Sequence, residues 1–170
     1  MADNTVLLRA DDDPGTVKRD IANGTITPGD MIELGGLNTA GASEERNFTR
    51  VSTDAAGGPF YTALVYTTAG REKSDDYEAG DELRYLPLET GDEFDGFVFD
   101  GGNAGGAGTD LSANANISVG DKLVTYSGAG QDGTLRAYDA DDTGAIVGVA
   151  VEAVDNSGGT DPARIEVEAV

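Results

Sequence analysis

Four Gly-Asp pairs constrain this chain more than any other feature. Each stands just ahead of a short apolar or alternating run: Pro28-Gly29-Asp30 before residues 31–34, Gly80-Asp81 before 82–86, Gly91-Asp92 before 93–99, and Gly120-Asp121 before 122–126. Glycine reaches positive φ without steric penalty, and an aspartate carboxylate bonds nearby backbone at a turn. Each pair therefore reads as a β-turn that feeds a strand. The spacing between pairs is irregular, which argues against a solenoid repeat. No segment carries a sustained helical period, and 25 glycines scattered over 170 residues suit many turns between short strands.

The predicted strands cover residues 6–9, 17–22, 25–34 (with a turn at Pro28-Gly29), 48–53, 60–67, 82–88, 93–99, 122–126, 134–138, 145–154 and 164–170. The run Ile146-Val147-Gly148-Val149-Ala150-Val151 is apolar on both strand faces and reads as a central strand buried on both sides. Residues 164–168 alternate and read as half-buried. Phe94, Phe97 and Phe99 mark the most apolar part of the middle, and most of the six tyrosines fall in predicted strands, where core or rim packing explains them. Residues 35–46 are small and polar, and 101–108 (GGNAGGAG) form a flexible loop or linker. Read as a linker, the second stretch divides two subdomains near 101–116. The preferred reading is one β-rich domain over 16–170, preceded by an extended arm at 1–15 that contains Asp11-Asp12-Asp13.

A chain of this length buries about 68–70% of its unfolded surface on folding, so it can form its own core. It carries 32 Asp and Glu against 11 Lys and Arg, a net charge of −21. Adaptation to molar salt, mimicry of nucleic acid and calcium binding all make a chain acidic. The even spread of the acids favours salt adaptation. At about 1 M salt the Debye length is roughly 3 Å, and like surface charges barely repel. Eight of the bases are Arg, the less hydrated cation and the better partner in ion pairs. So acidic a chain lacks the basic patches that phosphate contacts require, which argues against nucleic acid as a partner. No apolar stretch approaches the roughly 18 residues of a membrane span. The first residues do not form a basic start followed by an apolar core, so synthesis in the cytoplasm without secretion is expected.

Cysteine and histidine are both absent. The commonest general base and the soft metal ligands are therefore missing. Carboxylate pairs are too numerous here to mark a site. A sugar-cleaving pair also needs a sugar-binding cleft, and such clefts usually draw on aromatic side chains, which are only 6% of this chain. No phosphate-cradling glycine motif occurs. No catalysis and no cofactor are expected. Asp139-Ala140-Asp141-Asp142-Thr143-Gly144 opens like a calcium loop, but position twelve is Ala150 rather than Glu, so it reads as a hairpin turn and no metal site is expected. Val6, Leu7, Leu8 and Arg9 are the candidate contact residues: an apolar arm segment of this kind adds a strand to the edge of a partner's sheet, or else forms the first strand of its own fold.

The order of the blocks carries a resemblance. "TVKRDIANGTITPGDMIEL" leads to "PFYTALVY", then to "YEAGDELRYLPLETGDEFDGFVFDGG". The chain closes on "ISVGDKLVTYSGAGQDGTLRAYDADDTGAIVGVAVEAVDNSGG" and "ARIEVEAV". This succession resembles the small head-decoration (capsid cement) proteins of tailed viruses, including those of halophilic archaea, and more distantly the lambda-type head decoration protein. The resemblance implies a small Greek-key-like β-barrel or β-tulip with long loops. It also implies a homotrimer on the outer capsid surface of the virion, bound to the major capsid protein. It offers no catalytic motif to carry over. The rival expectations are another virion component, such as a turret, tail or baseplate module, and a non-viral halophilic β-domain that binds a ligand.

Overall fold

The computed structural model describes residues 7–9, 17–37, 46–65, 72, 74–103 and 111–170. All four Gly-Asp pairs are the turns that the sequence predicts. Their glycines lie at φ between +89° and +105°. In each, the aspartate N–H donates to the carbonyl three residues back at 2.9–3.1 Å. Its carboxylate accepts the N–H of that same residue at 2.8–3.0 Å. Two bonds thus close each four-residue turn, and the Asp side chain satisfies an amide that the incoming strand leaves unpaired.

The strands are β1 (Leu7–Arg9), β2 (Lys18–Ala22), β3 (Met31–Leu37), β4 (Arg46–Arg50), β5 (Tyr61–Ala63), β6 (Glu82–Pro87), β7 (Glu93–Val98), β8 (Asn116–Ile117), β9 (Lys122–Tyr126), β10 (Thr134–Ala137), β11 (Gly148–Ala150), β12 (Val154–Asp155) and β13 (Ala163–Ala169). The helical pieces among the described residues are two short 3₁₀ turns, Gly101–Asn103 and Ser112–Ala115. The all-β expectation holds, and the barrel is doubled. Strands β2-β4-β3-β5-β6 close one barrel. In the second sheet β7 pairs with both β13 and β10, so the ladder runs round a ring β7-β10-β9-β11-β13. Its seam is a single parallel pair, Leu135↔Val98.

The first barrel is filled by Ile26, Ile32, Leu83 and an aromatic group, Phe48, Tyr61 and Tyr85, whose ring centroids lie 4.4–5.7 Å apart. Buried tyrosines need partners for their hydroxyls. Tyr77 donates to the Leu64 carbonyl at 2.6 Å, and Tyr85 donates to Asp20 Oδ2 at 2.8 Å. Burial, followed by the bond to Asp20, pushes the Tyr85 phenol well above its usual value. The second barrel encloses Phe94, Val98, Leu123, Leu135, Ile165 and Val167, with Phe99 stacked on Tyr126 at 4.2 Å. Its core also takes in Met31 and Val51 from the first barrel. The cores are thus contiguous at one end, and the chain passes between barrels at residues 88–92. The stretch 101–116 lies within the second barrel's strand order, and 104–110 fall outside the described residues.

Two expectations need correction. The stretch 25–34 holds its foreseen turn, and its strand starts at Met31. It then runs through Gly35 and Gly36 to Leu37, so those glycines belong to a strand. A bulge between Leu34 and Gly36, with Gly36 at φ +134°, absorbs the extra residue. Finally, the apolar run 146–151 is not buried on both sides. A closed barrel has one interior: Val147 and Ala150 point into it, Val149 is half-buried and Val151 is exposed.

Candidate functional site

Two hydrogen-bonded contacts between the barrels stand out among the described residues, and a cleft lies at the first of them. At the first, the hairpin loop between β9 and β10 meets the end of the first barrel. Met31 N–H donates to the Gly133 carbonyl at 2.7 Å, and Gly133 N–H donates to the Val51 carbonyl at 2.9 Å. Gly133 sits at φ +82°, and a Cβ there would stand 2.9 Å from the Met31 carbonyl oxygen, so the position admits only glycine. At the second contact, residues 53–56 lie along β9. Ala55 N–H donates to the Thr125 carbonyl and Ala56 N–H to Thr125 Oγ1, both at 2.8 Å.

Arg136, on β10, locks the second contact. Its Nε and Nη2 bond Asp54 Oδ1 and Oδ2 at 2.9 and 2.7 Å, a bidentate pair reaching from one barrel to the other. Its Nη1 bonds Asp142 Oδ2 at 2.8 Å. The Arg136 side chain is 3% exposed. The Asp139–Asp142 segment is a tight turn, with the Asp142 N–H donating to the Asp139 carbonyl at 3.0 Å, but not the expected hairpin, because β10 and β11 on either side of it both pair with β9 and not with each other. The Asp142 carboxylate is already occupied by Arg136 and by the Asp139 N–H. The bonds from Arg136 hold Asp142 below the usual carboxylate range.

The cleft at the first contact has a volume of about 400 Å³ and is lined by the Thr27–Asp30 turn, Arg50, Phe97, Asp100, the loop at 130–134, and Thr160 and Pro162. Its walls are held by side-chain to backbone bonds. Gln131 Oε1 accepts the Asp100 N–H, while its Nε2 donates to the Asp100 carbonyl at 3.2 Å. Asn156 Nδ2 donates to the carbonyls of Phe99 and Asp161 at 2.9 and 3.0 Å. Arg164 stacks on Phe97 with its guanidinium carbon 4.1 Å from the ring centroid. Asp30 is 4% exposed. Its burial raises the carboxyl pKa to about 7, against the opposing effects of the Thr27 N–H and the Arg50 charge.

The described part of the candidate arm pairs within the chain. In β1, Leu7 faces Phe94 and Arg9 faces Glu93 of β7, with a bulge between them. Val6 and Asp11-Asp12-Asp13 lie outside the described residues. β1 is the edge strand of its sheet, so its second edge is unpaired among the described strands. The arm and the waist cleft are at separate places: β1 meets the start of β7, while the cleft takes in Phe97 and Asp100 near and beyond its end. Sequence reasoning placed Asp30 in a turn but not in a cleft, and it missed Arg50 and Arg136. For the two arginines the only available signal was the scarcity of bases among so many acids.

The architecture has a known counterpart. The two-barrel fold is similar to the base of a phage head fiber. The solved structure is described as the crystal structure of head fiber gp8.5 N base in bacteriophage phi29. It superposes with a TM-score of 0.51 at 13% sequence identity, over 91% of this chain and 92% of that one. At that identity the likeness speaks to the fold. No protein-family model matches the sequence, and no curated protein matches it.

Proposed function

We propose that this protein is a non-enzymatic structural component of a virion, seated on the outer surface of the head, where it binds the major capsid protein and stabilises the shell. The observation that carries this reading is the near end-to-end likeness to the phage head fiber base. The interior agrees with it. The buried polar side chains described above spend their bonds on joining barrels and closing turns, as a clamp requires. A homotrimer would repeat each weak capsid contact three times and raise avidity without new chemistry. The unpaired edge of β1 offers a place for a partner strand, which keeps Leu7, Leu8 and Arg9 as contact candidates. Purified protein mixed with undecorated heads in high salt is expected to co-sediment in stoichiometric amounts. Heads that pellet without it, at saturating protein, refute the reading. A second reading, a projecting turret-like appendage, follows from the counterpart being a fiber base. Labelling in intact particles separates the two, because a decorating clamp lies flat over the shell and an appendage stands off it.

The charge distribution supports a salt-adapted particle. Residues 89–170 hold 16 Asp and Glu against Lys122, Arg136 and Arg164. Arg136 and the stacked Arg164 are drawn inward, which leaves Lys122 as the exposed base of the second barrel among the described residues. Lowering salt from about 1 M to about 0.1 M extends the Debye length from roughly 3 to 10 Å and lets those acids repel. The midpoint of thermal unfolding is expected to fall across that range. A midpoint that stays level rejects salt adaptation.

A further inference from the structure

Arg50 is a half-buried cation in a chain of 32 acids and 11 bases. Arg136 holds two carboxylates, and Arg19 reaches Glu82 at 3.6 Å. Arg50 makes no ion pair or side-chain hydrogen bond with the described residues. Its stem is fixed: a Cβ at Gly133 would lie 3.1 Å from Arg50 Cβ and 3.3 Å from its Cγ, so the chain packs flush on that glycine. Arg50 lines both the 400 Å³ waist cleft and a 310 Å³ cleft with Asn23, Thr25 and Asp132.

The acids lining these clefts bond other groups, although the Arg50 charge still acts on Asp30. Asp100 accepts the Asn103 N–H at 2.9 Å, Asp132 accepts the Ser127 hydroxyl at 2.7 Å, and Asp30 accepts the Thr27 N–H at 2.8 Å. The waist cleft is therefore lined by a half-buried arginine whose guanidinium fork is unfilled among the described residues, together with Phe97 and Pro162. A guanidinium fork matches a carboxylate with two parallel bonds, and arginines set in desolvated pockets are frequent anchors of protein interfaces. We infer that Arg50 anchors a partner's carboxylate: a Glu or Asp side chain on an exposed loop of the capsid protein inserts into the waist cleft and pairs with it. This rests on the virion reading above for the partner's identity, and on the unfilled fork for its chemistry.

Asp30 makes the site sensitive to pH. The charges acting on it are Arg50, Asp76 and Arg164, and Asp100 lines the same cleft. When Asp30 is protonated, the incoming carboxylate meets Arg50 alone. When it ionises, its charge offsets that of Arg50 and repels the newcomer. Carboxylate binding is therefore stronger on the acid side of neutrality.

The first arm of the test uses glutarate as probe and glutaramide as its uncharged match, with NMR detection of the Arg50 Nε–Hε signal in 1 M KCl. Glutarate is expected to give a saturable shift, and glutaramide none. The shift should be lost in Arg50→Gln, weakened in Arg50→Lys, and at least about threefold tighter at pH 6 than at pH 8.5. Asp30→Asn should remove that pH dependence. No glutarate shift, or one that added chloride reproduces, overturns the inference. The second arm uses undecorated heads. Arg50→Gln, at unchanged unfolding temperature, is expected to bind at least about tenfold more weakly, in the range of an interface anchor. Should Arg50→Gln fail to fold, Arg50→Lys carries this arm, with intermediate affinity expected. Equal binding by wild type and a folded variant overturns the inference and leaves the virion reading standing. Glutarate on Arg50 with no binding of heads by the wild type refutes the virion reading, and with it the named partner.

Discussion

Arg136→Ala is expected to destabilise the protein by about 3–5 kcal/mol, toward the lower end because Asp54 stays partly in water. The physical reason is asymmetry. Arg136 is 3% exposed and serves two carboxylates, and Asp142 is itself only 10% exposed. Removing the cation leaves Asp142 buried, charged and short of a partner, and it cuts the bidentate bond that ties residues 53–56 to the second barrel. The sign of the pH dependence follows from Asp142. Arg136 holds its pKa below the unfolded value, so its contribution is present above about pH 4 and is lost as the pH falls through the depressed value. Chemical denaturation of wild type and variant at pH 7 and pH 3 reads both effects: a large gap at pH 7 that narrows at pH 3. A gap under about 1 kcal/mol at pH 7 would show that the triad is not a structural lock.

The second large effect comes from Asp30 and has the opposite sign. Its folded pKa is raised to about 7 from 3.8. Below about pH 4 both states carry the proton. From there to about pH 7 the unfolded chain loses its proton while the folded chain keeps it, so stability falls as pH rises. At 1.36 kcal/mol per unit, the full loss is about 4 kcal/mol by pH 8. Asp30→Asn keeps an acceptor for the Thr27 N–H and removes the titration. The variant should match wild type near pH 4 and exceed it by up to about 4 kcal/mol at pH 8. Parallel stability profiles for the two proteins would place the Asp30 charge in water and contradict its burial between the barrels.

What was legible in the sequence is local. The Gly-Asp turns declare themselves because a glycine at positive φ and an aspartate bonded three residues back lie within four consecutive positions. The alternation at 164–168 appears in β13, where Ile165 and Val167 are buried and Glu166 and Glu168 are not. The run 146–151 misled for a related reason. Its composition fits a strand covered on both sides, but whether a second layer exists is a property of the whole sheet.

The sequence by itself therefore determined the strand-and-turn grammar, the acidic surface and the lack of histidine and cysteine chemistry. Only the tertiary structure decided that the strands close into two barrels, that Arg136 meets Asp54 across 82 positions, that Asp30 is buried with its pKa raised to about 7, and that Arg50 lines a cleft. The four turns share one local geometry, so nothing local sets how deeply each aspartate is buried. What packs over each turn does: Asp30 and Asp92 are buried, while Asp81 and Asp121 are half-buried. A pKa, an ion pair or an unfilled guanidinium depends on desolvation and charge at distances of a few ångströms, and those distances are set when remote segments meet.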